Sequence, residues 1–360
     1  NTRKMADACH KYKLKFFLHL TCTMIDQSLL EKHPDWAAID IATGQTITNG
    51  YGTGNSCINN DDFMNEFFKR VERLIKETGA DGIMQDEIQF FGPTLCGCRW
   101  CREKFKKETK FEIPEKDGLG GWLYHSIDNP CYAAWLKWRR DKVVLNCQKI
   151  RDIIKKYNPE STVIFYNCNN TSSYTYYAAG ISINDFPKFL DSVGYECEPH
   201  DHFYLYYWPH IIYEMKYLRA VAENMNTAPW TLFYDRLLGD HTWNWFVALS
   251  QGSRRWWFNA DPLAAKCWQP LVAWEEKHEK ILMNVRSAAN IGVLFSLDTR
   301  DRNSKTFAGK AWIHGFSSTC NALTDGHIPY KVIVDEDMEA ALLTQKLKTL
   351  LLFNAGSLSD

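Results

Sequence analysis

The chain has 360 residues, 45% of them hydrophobic, with 42 Lys and Arg against 43 Asp and Glu and a formal charge of −1. A length of this order holds one α/β barrel of about 250 residues plus part of a second domain, or about two to three average domains. The balanced charge lacks the cationic footprint of a nucleic-acid or anionic-membrane partner. No run approaches the ~20 apolar residues of a membrane span, and residues 1–12 lack the apolar centre of a signal peptide, so a soluble protein is expected. Two excesses need a reason: 12 Cys, and 14 Trp with 17 Tyr and 20 Phe. Scattered cysteines in a chain long enough to build its own core do not indicate a disulfide scaffold, and Cys147 and Cys168 fit buried apolar positions. The aromatics serve either a pocket that stacks sugar faces or simply a large core.

The first half alternates strand-like and helix-like segments, the pattern of a parallel sheet with crossover helices. A helical Arg3–Tyr12 precedes a strand over Lys13–Leu20. Asp62–Glu77 places Phe63, Phe67, Val71, Leu74 and Ile75 on one helical face, with Gly79 as its C-terminal cap, and Ala80–Ile88 follows as a buried strand. A long helix over Ala134–Tyr157 stops at Asn158-Pro159 before the strand Thr162–Cys168. Asp191–Glu196, Trp230–Asp235 and Arg254–Phe258 are further strands, separated by helices over His210–Asn224 and Trp243–Gln251.

These strands gather polar residues at their C-terminal ends: Asp86, Glu87, Asn167, Glu196, Asp235 and Asn259. That suits a (β/α)8 TIM barrel, whose chemistry sits at this rim, with a doubly wound open sheet as the alternative. Two more strands would be required, with room only before residue 1, so the chain is expected to be a fragment. After a helix over Cys267–Val285, strands at Asn290–Leu297, Tyr330–Val334 and Lys348–Phe353 and a helix at Lys310–Leu323 form a short α/β series. The expected division is therefore a barrel over 1–285 and the start of a second α/β domain over 286–360.

Cys96, Cys98 and Cys101 form C-x-C-x-x-C just after the Asp86-Glu87 strand. Three thiols so close suit thiolate ligation of one tetrahedral Zn²⁺, and Cys57, which precedes the helix leading into the same strand, supplies a fourth. Four thiolates leave no open position for water, so such a zinc is structural. Free thiols, a redox pair, or a catalytic zinc with His125 or His200 replacing a cysteine are the alternatives.

Several features in one order resemble glycoside hydrolase family 42, the zinc-site β-galactosidases, and related glycosyl hydrolases. His33-Pro34-Asp35-Trp36 with Asp40 and Gly44 looks like the family's segment after barrel strand three, and Asn55–Asn60 like its cysteine-containing turn. Gln85-Asp86-Glu87 looks like the strand-four signature that ends in Asn-Glu, and C-x-C-x-x-C follows it. The resemblance implies that Lys13–Leu20 is barrel strand three, that strands one and two lie outside this chain, and that 290–360 is the beginning of an amidotransferase-like trimerisation domain. It implies a homotrimer and a carbohydrate substrate. Reduced cysteines and zinc favour the cytoplasm.

In the family, the glutamate closing strand four is the general acid/base, which here is Glu87. The nucleophile lies on strand seven, where Asp235 stands in place of a glutamate, shorter by one methylene or roughly 1.5 Å of reach. Asp86 replaces an asparagine that binds the sugar 2-hydroxyl. Glu196, or Glu198, is a rival second carboxylate. Glycoside hydrolysis needs such a pair, ~5–5.5 Å apart for retention and ~6.5–9.5 Å for inversion. Adjacent residues on a strand point to opposite faces, so only one of Asp86 and Glu87 faces a sugar unless the strand is interrupted there. Trp243, Trp256 and their neighbours Trp245 and Trp257 are candidates for a stacking floor, and Asn167 and Asn259 for hydroxyl recognition, with core packing and loop capping as the plainer roles. The expected activity is a β-glycosidase, with a β-galactoside as the family's substrate; a non-catalytic carbohydrate-binding scaffold is the alternative.

Overall fold

The computed structural model describes residues 2–48, 52–113, 129–168, 170–172, 175–197, 208–234, 240–257, 262–282, 285–302, 307–335, 338 and 347–353. The chain divides into two compact units, one built on Asn1–Phe165 and Ser172–Asp191, the other on Tyr166–Thr171, Ser192–Arg302 and Phe307–Asp360.

In the first unit, α1 (Thr2–Lys11) leads to β1 (Phe17–Thr21), and after a short antiparallel pair, β2 (Met24–Ile25) with β3 (Gly54–Asn55), comes α3 (Asp61–Thr78), preceded by α2 (Gln27–Lys32). Then follow β4 (Gly82–Asp86), α4 (Arg99–Thr109), α5 (Pro130–Tyr157) and β5 (Thr162–Asn167). β4 runs parallel to both β1 and β5, with Phe17 opposite Gly82 and Gly82 opposite Thr162. Gly82 is required by this close approach: a Cβ there would lie 2.3 Å from the Phe17 ring and 2.6 Å from the Thr162 carbonyl oxygen.

Helix α3 forms as its sequence dictates. The Asn60 side chain accepts the Phe63 amide at 3.0 Å, Asp61 and Asp62 occupy the positive end of the helix dipole, and Gly79 closes it in the left-handed conformation at φ 63°. Its apolar stripe buries Phe63, Met64, Val71 and Ile75. Helix α5 starts four residues before the hydrophobic periodicity does, because Asn129 accepts the amides of Cys131 and Tyr132 and Pro130 fits the first turn. It fills the core beside β4 with Trp135, Val143, Cys147, Ile150 and Ile154.

Strand β1 begins at Phe17 rather than at Lys13, because Lys13 turns left-handed at φ 60° as the chain leaves α1. Asp81 anchors this entry by accepting Phe16 N at 2.9 Å, Lys15 Nζ at 2.8 Å and a 2.9 Å contact with His10 Nε2.

The second unit carries β6 (Ser192–Cys197), α6 (Trp208–Glu223), β7 (Trp230–Phe233), α7 (Asp240–Ser250), β8 (Arg254–Trp257) and α8 (Pro262–Leu282). β6, β7 and β8 are parallel neighbours, Gly194 facing Trp230 and Trp230 facing Arg254. A second parallel sheet, in the order β10-β9-β11, is formed by β9 (Ile291–Phe295), β10 (Tyr330–Val334) and β11 (Thr349–Leu351), with α9 (Leu297–Arg302) and α10 (Phe307–Asp325) between β9 and β10. Helix α6 serves both sheets: it packs on β6, Tyr217 meets Phe295 at 4.6 Å, and Lys216 Nζ donates to the Tyr330 carbonyl at 2.9 Å. The βα rhythm expected from the sequence is met, with ends shifted by a few residues. Among the described residues no helix is long and apolar enough to cross a membrane.

Partial burial pushes the Asp81 carboxyl up, and the bonds from Lys15, Phe16 and His10 outweigh this and hold it at about 2. A folded-state value below the unfolded ~3.9 adds stability above pH ~4 that disappears as pH falls through the folded value. Asp81→Asn should therefore cost about 1 kcal/mol at pH 7, a figure reduced for solvent screening. Denaturant titrations from pH 7 to pH 2 should show that difference closing toward the acid end.

Candidate functional site

Glu87 follows the last residue of β4 and adopts φ 51°, in the left-handed region that non-glycine residues rarely enter. The turn interrupts the strand's alternation, which is the condition under which Glu87 need not point opposite to Asp86. Its carbonyl is held twice by Thr23, whose amide donates at 3.3 Å and whose hydroxyl also donates to it. The carboxylate oxygen Oε2 is buried. Asp86 places Oδ2 3.2 Å from His19 Nε2 of β1.

The chain after Glu87 is tied down by Arg139 of α5, which is fully buried and donates to the carbonyls of Gly92 at 2.7 Å, Tyr177 and Ala178. The last two lie in a π-helical turn, Thr175–Ala179, and Phe90 N donates to the Ala179 carbonyl at 3.0 Å. Neither Thr23 nor Arg139 stood out in the sequence, because each acts on the backbone of a distant segment and carries no motif.

The same region collects the cysteines. The sulfurs of Cys57, Cys96, Cys98 and Cys101 lie within 4.8 Å of one another and all four residues are buried. Cys57 Sγ is 3.4 Å from Cys101 Sγ and 3.5 Å from Cys98 Sγ. A tetrahedral ion with sulfurs at ~2.3 Å needs S···S edges of about 3.8 Å, so the cluster is the right size to hold one metal ion. Its surroundings suit thiolates: Ile39 N donates to Cys96 Sγ at 3.3 Å, Asn59 N to Cys57 Sγ at 3.4 Å and Asn59 Nδ2 to Cys101 Sγ at 3.3 Å. Burial pushes the Cys101 thiol up, whereas hydrogen bonds from Cys101, Cys57 and Cys96 hold Cys98 well below the usual thiol range.

Three stretches of irregular chain meet at these thiols. Cys57 N donates to the Trp36 carbonyl at 2.8 Å, Gly97 N to Ile39 at 2.7 Å and Ile41 N to Thr94 at 3.1 Å. His33 stacks on Trp36 at 4.0 Å, and Asn60 Nδ2 donates to the Asp35 carbonyl at 2.7 Å. Asp40 accepts Thr43 N at 2.9 Å and Thr94 Oγ1 at 2.5 Å, while its own carbonyl takes Gly44 N at 2.8 Å. The segment from His33 to Gly44 is therefore a wall of the cysteine cluster.

The second unit holds the other candidates. Glu196, near the C-terminal end of β6, accepts Tyr234 Oη at 2.5 Å just beyond β7. Asn167 donates to the Cys168 carbonyl at 2.9 Å, and Asn170 Nδ2 returns a 3.2 Å bond to the Asn167 carbonyl, so this amide caps its own loop. Trp256 of β8 meets Tyr166 edge to face at 5.5 Å. Trp243 lies on α7, half exposed, 6.5 Å from Trp208, and Trp245 turns away to Trp274 and Glu275 of α8. The candidate tryptophans are thus divided between helix and strand, as the expected helix over Trp243–Gln251 and strand over Arg254–Phe258 require. Asp235, Asn259, Glu198, His125 and His200 lie outside the described residues.

Residues 2–87 match the family model described as hypothetical glycosyl hydrolase 6. This stretch contains His33–Trp36, Asn55–Asn60 and Gln85–Glu87, three of the pieces that carry the resemblance in sequence, while the C-x-C-x-x-C of Cys96–Cys101 lies beyond it. No curated protein matches the chain in sequence. Among solved structures it is similar to the β-galactosidase of Rahnella sp. R3, at 13% identity and TM-score 0.70 over 92% of this chain and 57% of that one. It is similar also to a GH42 β-galactosidase from G. stearothermophilus, at 13% identity and TM-score 0.70 over 96% and 58%. The glycoside hydrolase domain of PgaB (BpsB) from Bordetella bronchiseptica aligns at 12% identity and TM-score 0.53 over 78% of each chain. The chain spans under three fifths of the length of these two β-galactosidases. At such identities the likeness is one of fold, and it fits a TIM-barrel-like α/β architecture.

Elemental analysis of the purified protein should return about one metal ion per chain. Cys98→Ser should reduce that content to near zero and lower the melting temperature by roughly 5 °C or more, since ligand-set binding energy is folding energy. Full metal content in the variant would remove Cys98 from the set.

Proposed function

We propose that the chain is a glycoside hydrolase acting on a β-linked sugar, a β-galactoside being the substrate its likeness suggests, with Glu87 as general acid/base. The observation that carries this reading is the setting of Glu87: a carboxylate at the C-terminal end of a parallel strand, on a backbone in the left-handed region and anchored through Thr23. Unusual backbone maintained by its surroundings clusters at functional sites, and strand C-terminal ends are where barrel enzymes place their chemistry.

The partner carboxylate is Asp235 or Glu196. Tyr234, adjacent to Asp235 in sequence, donates to Glu196, and a hydroxyl donor suits a carboxylate that acts ionised. Protonated Glu87 gives its proton to the leaving glycosidic oxygen as the C1–O bond breaks. In a retaining reaction the partner attacks C1, and Glu87, now a base, takes a proton from the water that releases the sugar. Asp86 and Asn259 are assigned to sugar hydroxyls, and Trp256 and Trp243 to its apolar faces, whereas the Asn167 amide is engaged by its own loop.

Cys57, Cys96, Cys98 and Cys101 would hold zinc. A closed set of four thiolates offers no position for a reacting water, so such an ion would fix the loops around Glu87 rather than join the chemistry. One observation favours the second reading, a non-catalytic carbohydrate-binding protein: the Asp86 carboxylate, standing where the family has an amide, is engaged by His19.

Glu87→Gln decides between these. Hydrolysis of p-nitrophenyl β-D-galactoside and of a panel of other β-glycosides should fall by about 10²–10⁴-fold while the melting temperature and sugar affinity persist. Undiminished turnover in the variant would overturn the assignment of Glu87. Sugar affinity without turnover in either protein would establish the binding reading.

A further inference from the structure

Two buried charges grip the loop that follows β5, all within the second unit. Asn167, Asn170 and Thr171 stand at the C-terminal end of that strand. Thr171 donates its amide, at 3.0 Å, and its hydroxyl to Glu214 Oε1 of α6. Arg300 of α9 donates Nη1 to the Asn170 carbonyl at 2.7 Å and Nε to its neighbour Asp301 at 2.6 Å. Glu214 is 0% and Arg300 1% exposed, so a carboxylate and a guanidinium, both withdrawn from water, hold consecutive residues of one loop.

Burying such groups is expensive, and apolar side chains of the same volume would hold a loop at less cost. What charge-assisted bonds add is position: they tie two successive residues to particular atoms, where apolar contact tolerates a slide. Arg300 is itself aimed. Asp335, at the end of β10, accepts Ser296 Oγ at 3.0 Å and Leu297 N at 3.3 Å and so seats the start of α9, the helix that carries Arg300. The β9–β10 sheet thus reaches the loop after β5 through α9. At the base of that loop, Tyr166 meets Trp256 edge to face at 5.5 Å. The clamped residues therefore continue directly from the ring that supports the tryptophan assigned above to an apolar sugar face.

We infer that Glu214 and Arg300 are positioning residues for sugar binding: by clamping Thr171 and Asn170 they hold the loop after β5, and with it the Tyr166–Trp256 ring pair, in the arrangement that receives the sugar. Both act through other residues, since their burial closes them off from a ligand. The inference rests on the sugar-site reading proposed above, and it gives the β9–β10 sheet a part in substrate affinity.

Steady-state kinetics on the full chain tests it, with p-nitrophenyl β-D-galactoside or whichever β-glycoside of the panel the parent turns over fastest; where the parent binds the glycoside without turnover, Kd from calorimetry replaces KM. Arg300→Met should raise KM about tenfold, and Thr171→Val, which leaves both charges in place and removes one bond, about threefold or more, with kcat within about twofold of the parent, because a displaced sugar wall weakens binding in ground and transition state alike. Glu214→Gln keeps the acceptor oxygen and should retain the parent KM, whereas Glu214→Leu should raise it. A merely structural clamp would lower the melting temperature and, through the folded fraction, kcat, while KM stayed at the parent value; that result overturns the inference, as does an equal rise in Glu214→Gln. Where Arg300→Met or Glu214→Leu does not fold, Thr171→Val against Glu214→Gln decides. A parent that neither binds nor hydrolyses any β-glycoside removes the reading of the site and the inference with it, whereas a competent parent with an unmoved KM in Thr171→Val removes the inference alone.

Discussion

The first unit depends on one constraint, the convergence of four buried thiols at the meeting of three irregular segments. Between β1 and α3, and again between β4 and α4, the chain has little regular structure, and a long irregular path cannot be ordered by local hydrogen bonds alone. Cys57, Cys96, Cys98 and Cys101 link these paths at points far apart in sequence, and the amides of Ile39 and Asn59 turn toward their sulfurs. The stretch leading from Glu87 into this cluster is held at its other side by Arg139. Glu87, anchored through Thr23 at its own backbone and followed by a loop that packs its thiols against those of a distant segment, is held in a defined place.

What was legible in the sequence followed from short-range rules. The C-terminal cap of α3 is written in Gly79 and the thiol set in the C-x-C-x-x-C spacing with Cys57 upstream, whereas the expected helix starts at Asp62 and Ala134 pass over the N-terminal caps Asn60 and Asn129. What was not legible depends on partners 60 or more residues away: Thr23 on the carbonyl of Glu87, 64 positions apart, and His19 on Asp86, 67 apart. Nor does any local signal mark residue 87 as left-handed, since glutamate has no preference for that region; the tertiary contacts impose it. The short β2–β3 pairing escaped for the same reason, two residues being too few to show an alternation.

The aromatic excess admitted two explanations, and burial apportions it. Trp36, Trp135, Trp138 and Trp312 are nearly inaccessible and make ring contacts with Phe63, Phe105 and Phe295, so these four indoles build core. Trp243 is half exposed, which leaves it available for an apolar sugar face. Asn167 shows the opposite outcome, its amide being engaged by its own loop.

Helix α6 ties the second unit together in a way that bears on how it comes apart. One element covers β6 while Tyr217 and Lys216 reach β9 and β10, so neither sheet can shed the helix without exposing the core of the other. The two sheets should then behave as one cooperative foldon, their amides exchanging with solvent at a common opening free energy. A hydrogen-bonded lysine and a buried tyrosine ring, two adjacent residues of one helix, thereby help set the smallest piece of this unit that can unfold by itself.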